Sequence, residues 1–151
     1  MEAPSGIRYM STLQTVIKFT IPGKPKALKR HRVAKNGRMY DPSSTDKKQT
    51  WLQIAKFRPK LPLAGDISIS LTFYMERPKS HYRTGKYKHL LKDNVPEYHS
   101  FTPDIDNLQK YVFDTISGKH GMICDDSQIC VLNSEKKYGV PRTAVVIEEI
   151  S

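Results

Sequence analysis

The sequence predicts a small α/β (α+β) domain with a mixed β-sheet and about two helices. Residues 15–21 and 66–75 alternate apolar with polar side chains, which is typical of strands. Two other segments carry apolar residues at helical spacing behind a residue that can cap a helix. A chain of 151 residues can bury one core, so we expect a single domain over residues 15–151 and a flexible extension over residues 1–14.

Turn residues and caps bound the first three elements. The strand at 15–21 ends at Pro22-Gly23, and a helix is predicted over residues 45–57, between a serine cap and Pro59. The strand at 66–75 has the most regular alternation, so we expect it in the centre of the sheet. The predicted buried stripe of the helix is Trp51, Leu52, Ala55 and Ile54.

A second helix is predicted from about Asn107, with Asp106 as its N-cap and Gly118 after its end. Lys110 and Asp114 lie four residues apart and are expected to form an ion pair. Strands are expected over residues 129–132 and 143–147. The predicted buried stripe of this helix is Leu108, Tyr111, Val112, Thr115 and Ile116.

Positive charge is concentrated in the first part of the chain. Residues 1–92 contain 20 Lys and Arg against 5 Asp and Glu, whereas residues 93–151 contain 5 against 10. Such a basic surface is typical of proteins that bind nucleic acid through its phosphates, although a disordered basic arm would have a similar composition. The candidate DNA-binding residues here are Lys24, Lys26, Lys29, Arg30, Arg32, Lys35 and Arg38.

Residues 76–102 have no regular period and are expected to form a long loop. Basic side chains alternate there with Tyr and His, which suits a flap that closes over nucleic acid. A mobile surface loop is the alternative. The candidate DNA-binding residues of this loop are Arg77, Lys79 and Arg83.

Acidic residues form two short motifs, Asp104-Ile105-Asp106 and Asp125-Asp126. Pro103 favours an extended chain, in which residues two apart face the same side, so the first two carboxylates are expected to lie together. A strand, a helix and a second strand could return Asp126 to the same place. Clustered carboxylates repel one another unless a cation lies between them, and Mg²⁺ prefers oxygen ligands.

Each feature also has a purely structural interpretation. Asp106 could cap a helix, Asp125-Asp126 could form a turn, and Lys110 could be a surface lysine. Other families that use Asp-x-Asp fit less well. Sugar transferases use it to hold a nucleotide and a metal, haloacid-type phosphatases need Thr or Val where this chain has Leu108, and an EF-hand needs further acids and a glycine.

The combination of Pro-Asp-Ile-Asp-Asn-Leu-Gln-Lys at 103–110, Phe-Asp at 113–114 and Asp-Asp-Ser-Gln-Ile at 125–129 resembles the signature of RusA-type Holliday junction resolvases. That resemblance implies that Asp104, Asp106 and Asp126 bind metal and that Lys110 is catalytic. Asp125 is a further candidate for the metal site or its surroundings. The segment before Asp125 is about one residue longer than in the best-known member, which matters little to the geometry of the site. The 76–102 loop is also longer, and this difference bears on substrate selectivity.

The resemblance implies a Mg²⁺-dependent endodeoxyribonuclease, with Mn²⁺ as a substitute metal and no small-molecule organic cofactor. It would resolve Holliday (four-way) junctions by paired nicking in DNA recombination and repair. Because such a junction has two-fold symmetry, a homodimer is expected. The alternatives are a less selective branched-DNA or flap nuclease and a non-catalytic DNA-binding module.

No run of about 18 apolar residues is present, so we expect no membrane segment. The two cysteines, Cys124 and Cys130, have apolar neighbours and are expected to be reduced and partly buried. These features favour a cytoplasmic location, and the resemblance to the RusA-type resolvases implies a protein of a bacterium or of a phage.

Overall fold

The computed structural model describes residues 14–151, so nearly all of the predicted extension over residues 1–14 lies outside the described residues. The helices are α1 (Ser44–Ile54) and α2 (Ile105–Ile116). The strands of residues 14–151 are β1 (Val16–Pro22), β2 (Arg32–Val33), β3 (Met39–Tyr40), β4 (Ile67–Met75), β5 (Ile129–Tyr138) and β6 (Arg142–Glu149). The predicted mixed α+β fold is confirmed.

Four strands form the main sheet in the order β1-β6-β4-β5, and β2 and β3 form a separate hairpin. β6 is antiparallel to β1 and β4, whereas β5 is parallel to β4. Along β4 buried and half-buried residues alternate without interruption, as the sequence predicts for a central strand.

The parallel pair requires a crossover, which contains α2. We call the end of the sheet where β4 and β5 finish the carboxyl edge, and the end where they begin the amino edge. Because α2 runs back along the two strands, it starts at the carboxyl edge and finishes at the amino edge. Gln109 near its start donates to Ser134 Oγ of β5 at 2.8 Å.

Helix α2 buries the five residues predicted for its apolar stripe. Helix α1 matches its predicted stripe in part, since Ile54 is buried and Trp51 packs against the core, whereas Leu52 is 77% exposed and Thr50 is buried. The hydroxyls of Thr50 and Tyr111 lie 2.9 Å apart in a buried hydrogen bond that joins the two helices. This bond satisfies both polar groups on the buried face of α1. Leu52 lies two residues beyond Thr50 and therefore on a different face of the helix.

The 76–102 loop contains two short 3-10 turns and no longer element, as predicted. It is nevertheless tied to the sheet, since the amide of His99 donates to Lys136 O and that of Tyr138 donates to Glu97 O, both at 3.0 Å. These bonds pair Tyr98 with Lys137 on the outer side of β5.

Neither helix in residues 14–151 has the length and apolar character needed to cross a membrane. Cys124 and Cys130 are free thiols, as expected, but both are exposed. The prediction of partial burial is wrong because Cys124 lies in a surface turn and Cys130 lies on β5, at the side of the sheet.

Candidate active site

Asp104 and Asp106 lie at the start of α2, on the carboxyl edge. Asp104 is the extended N-cap residue, and Asp106 lies in the first helical turn. The prediction of an extended segment through Asp106 is therefore wrong, and α2 starts two residues earlier than expected. Both side chains are exposed, and the Asp104 carboxylate makes no capping bond. Folding leaves these carboxylates available for a ligand.

Lys110 lies one turn further along α2, with its Nζ 3.9 Å from Asp106 Oδ2. The expected Lys110–Asp114 pair is wrong, because Asp114 instead lies 3.3 Å from Lys47 Nζ of α1. Burial works to lower the pKa of Lys47, but hydrogen bonds and charge from Asp41 and Asp114 outweigh it and raise that pKa. The ammonium of Lys110 therefore stays beside Asp106.

The basic segment, residues 24–38, crosses the start of α2. The amide of Leu28 donates to Asn107 O at 3.0 Å, and the amide of Lys29 donates to Ser43 Oγ at 2.9 Å. All seven candidate DNA-binding residues of this segment are exposed. Positive charge therefore lies on the same edge of the sheet as the Asp104–Asp106 pair.

Part of the basic segment is the β2–β3 hairpin, which was not predicted. Its turn is closed by a hydrogen bond of 2.9 Å from the amide of Gly37 to Ala34 O, and Gly37 has a φ of +81°. The sequence contained the signal, because Asn36-Gly37 is a dipeptide typical of tight hairpins.

The three candidate DNA-binding residues of the 76–102 loop differ in the hydrogen bonds that they make within the protein. Arg77 is half-buried, donates to Pro96 O at 2.8 Å, and lies 5.0 Å from the ring centroid of Tyr138. Arg83 donates to Leu91 O at 3.2 Å and lies 3.5 Å from Asp93. Lys79 is exposed. Arg77 and Arg83 thus help to hold the loop together.

Lys136 is a residue of this region that the sequence did not reveal. Its Nζ donates to Phe101 O at 2.5 Å and to Pro103 O at 2.8 Å. These bonds join β5 to the backbone immediately before Asp104. No local pattern identifies this lysine, because its role depends on a contact across more than thirty residues.

Asp125 and Asp126 begin a 3-10 turn just before β5, and their roles differ. The carboxylate of Asp125 accepts from the amide of Ser127 at 3.0 Å, and this bonding lowers the pKa of Asp125. Gln128 anchors the turn by donating to Leu63 O and Gly65 O. Asp125 is therefore used as a cap, whereas the exposed carboxylate of Asp126 has no hydrogen-bond partner within residues 14–151.

The structure does not bring Asp126 to the other two aspartates. Asp126 precedes β5 and lies at the amino edge, while Asp104 and Asp106 lie at the carboxyl edge. The length of α2 separates the edges by about 18 Å, at about 1.5 Å per residue. Within residues 14–151 no three His, Cys, Asp or Glu side chains are grouped closely enough to hold a metal. The expected convergence within one chain is wrong.

Comparison with known proteins agrees with the sequence motif. A family model described as Endodeoxyribonuclease RusA matches residues 22–148, which include both aspartate motifs, Lys110 and both helices. No curated protein matches the chain. The extent of the family match leads to one conclusion: the chain belongs to the RusA family of endodeoxyribonucleases.

Proposed function

We propose that the protein is a divalent-metal-dependent endodeoxyribonuclease that resolves Holliday junctions by paired nicking, in DNA recombination and repair in a bacterial cytoplasm. One observation carries this proposal: two exposed carboxylates lie on the edge that also bears the basic segment. Basic side chains attract DNA phosphates, whereas bare carboxylates repel them. A bound cation between carboxylates and phosphate resolves that conflict, which favours a nuclease over a simple DNA-binding module.

Mg²⁺, or Mn²⁺ in its place, suits the oxygen ligands of Asp104 and Asp106. When bound, such an ion lowers the pKa of water and polarises the scissile phosphate. Lys110 contributes positive charge close to Asp106, where charge develops on the phosphate, and its ammonium can donate a proton to the leaving oxygen. The basic segment holds the flanking DNA by its phosphates.

We propose that the third carboxylate is Asp126 of the partner subunit, because Asp126 of the same chain lies at the opposite edge. Asp126 is the better candidate than Asp125, whose carboxylate already caps a turn. A site shared in this way is incomplete in one subunit and complete twice in a symmetric dimer. Two such sites match the two strands that must be nicked in a four-way junction.

The outer side of β5 supports this arrangement. Within the described chain, residues 129–135 pair with β4 alone and have no second strand neighbour. Val131 and Leu132 on this strand are 43% and 39% exposed. Two-fold pairing of β5 with its copy is antiparallel, so the start of one β5 lies near the end of the other. Asp126 of the partner subunit would thus approach the Asp104–Asp106 pair.

Cleavage of synthetic DNA by the wild type and Asp106→Asn tests the proposal. Four-way, three-way, flap and linear substrates are compared with Mg²⁺, with Mn²⁺ and with a chelator, over a series of salt concentrations. We expect the wild type to cut the four-way junction fastest, and Asp106→Asn to bind it without cutting. Asp126→Asn should behave likewise, whereas Asp125→Asn, which keeps a capping oxygen, should remain active.

Each alternative predicts a distinct result. Equal rates on all branched substrates would indicate a less selective nuclease. A wild type that binds DNA but never cuts it, with any of these metals, would indicate a binding module and would contradict the proposal.

A further inference from the structure

A cavity of about 610 Å³ lies at the carboxyl edge, beside the start of α2. Both ends of the 76–102 loop line it, together with Lys24, Met75 and Tyr138. Its lining includes Pro103, the residue before Asp104. The cavity therefore adjoins the candidate active site, and its volume falls in the range of about 300–1,000 Å³ that is usual for small-ligand sites.

Hydrogen bonds hold the walls of this cavity in place. Arg77 connects one end of the loop to Pro96 O and lies over the ring of Tyr138. The backbone of His99 is bonded to Lys136 of β5, at the other end. The cavity is thus formed before any ligand arrives, which reduces the entropy lost on binding.

An exposed aromatic ring lies at this cavity. Phe101 is 69% exposed, and its centroid lies 5.9 Å from that of His99, edge to face. His99 makes a similar contact of 5.2 Å with Tyr138, and Lys136 binds the carbonyl oxygen of Phe101. Phe101 therefore presents an ordered aromatic surface to solvent, three residues from Asp104.

Two ammonium groups complete the chemistry of the lining. Lys24 and Lys79 are both exposed, and no carboxylate of residues 14–151 lies within 4.0 Å of either. Among the described residues that line the cavity, Glu76 is the one acidic residue. An aromatic ring with nearby ammonium groups matches a nucleotide, whose base can stack and whose phosphates are anionic.

We propose that this cavity receives a DNA nucleotide that has left the base stack beside the scissile phosphate, with its base against Phe101 and its phosphates facing Lys24 and Lys79. The inference rests on the proposed function, because it assigns the nucleotide to DNA held for cleavage. A base leaves the stack at lower cost at a branch point than within an intact duplex. Phe101 would thus favour branched over linear DNA.

Fluorescence of 2-aminopurine tests the binding step without cleavage. The probe replaces a base at the branch point of a four-way junction, and the same strand in a linear duplex is the control. In the Asp106→Asn background we expect fluorescence to rise on binding to the junction and not to the duplex. Adding Phe101→Ala should abolish the rise. A rise that persists in the double variant would overturn the inference.

Cleavage kinetics test the consequence. Phe101→Ala should lower kcat/KM for the four-way junction on the order of tenfold, as expected from the loss of one base–aromatic contact. Binding to linear duplex should not change, and Phe101→Trp should retain the activity. Leu61→Ala, which truncates an exposed apolar side chain outside the cavity, is the matched control. Thermal denaturation should show that all three variants remain folded.

The outcomes separate this inference from the proposed function. Wild-type rates for Phe101→Ala, or an equal loss of junction and duplex binding, would overturn the inference alone. A wild type that never cuts DNA would overturn the proposed function. The 2-aminopurine measurement needs no cleavage, so it would still show whether an unstacked base binds at Phe101.

Discussion

Lys136 connects the sheet to the candidate active site through two carbonyl oxygens, those of Phe101 and Pro103. Its side chain is half-buried, and hydrogen bonds from a charged donor contribute about 1.5–3 kcal/mol each. The bonds fix the backbone from which Asp104 follows as the N-cap of α2. We therefore assign Lys136 as a positioning residue.

Replacement of Lys136 by Met should reduce activity by misplacing Asp104. We expect a lower kcat, a higher Mg²⁺ concentration at half-maximal activity, and a loss of about 1–3 kcal/mol in the free energy of unfolding. Lys136→Arg keeps the donors and should restore part of each. Metal titration of cleavage and urea denaturation provide the measurements. A loss of stability with an unchanged Mg²⁺ requirement would mean that Lys136 has no positioning role.

His99 makes stability depend on pH. Burial, and then the charge of Lys136, lower its pKa, and its buried Nδ1 has no hydrogen-bond partner in the described chain. The unfolded histidine takes up a proton near its ordinary pKa of about 6.5, while the folded one does so only at lower pH. The unfolded state therefore binds more protons below about pH 6.5, and stability falls as the pH decreases.

We expect the free energy of unfolding to decrease from about pH 6.5 downwards, and to decrease less steeply in His99→Gln. Urea denaturation at a series of pH values measures both slopes. His120→Gln, which replaces an exposed histidine, should retain the slope of the wild type. Equal slopes in all three proteins would contradict this account.

At the level of elements, the sequence correctly predicted the buried faces that depend on local periodicity. The buried stripe of α2 and the alternation of β4 follow directly from their periods of 3.6 and 2. The start of α2 was predicted wrongly because proline restricts the residue before it, Thr102, and not Asp104 after it. The exposure of Leu52 was not predicted because the buried face of α1 includes a polar residue, Thr50, whose hydrogen-bond partner Tyr111 lies on the other helix.

The β2–β3 hairpin should contribute to DNA affinity through charge. Replacing Arg32 and Arg38 by Gln should weaken junction binding. The binding constant should also fall less steeply with salt, with the slope of log K against log salt concentration smaller in magnitude by up to about 1.8, at about 0.9 per phosphate contact. Fluorescence anisotropy over a salt series measures this slope. Both side chains are exposed, so thermal stability should not change.

Lys18→Gln is the control for the hairpin variant, because Lys18 is an exposed residue of β1 in the main sheet. Its slope should equal that of the wild type. A salt dependence in the Arg32 and Arg38 variant equal to that of the wild type would show that the hairpin does not contact phosphates.

At the scale of the molecule, topology explains why the predicted convergence of the three aspartates does not occur within one chain. The sequence motif indicated the family and the candidate aspartates. The prediction that Asp126 meets Asp104 and Asp106 assumed that all three lie at one edge of the sheet. In a crossover from β4 through α2 to β5, the residues before the helix and those before the second strand lie at opposite edges. The shared site proposed above would instead bring Asp126 of the partner subunit to Asp104 and Asp106.

A mixed dimer of two inactive variants tests the shared site. If each site combines Asp106 of one chain with Asp126 of the other, a dimer of Asp106→Asn with Asp126→Asn contains one intact site and one doubly altered site. We expect this heterodimer, co-expressed with two different tags and purified through both, to nick one strand of a four-way junction. Its rate should reach about half of the wild-type rate, since one of two equivalent sites remains.

A heterodimer of Asp104→Asn with Asp106→Asn provides the matched control. Both changes affect the carboxyl edge, so each shared site contains one altered ligand and the protein should be inactive. If all three ligands instead came from a single chain, both heterodimers would be inactive, because each chain would carry one altered ligand. Inactivity of the Asp106→Asn and Asp126→Asn pair, beside an active wild type, would therefore exclude a site shared between subunits.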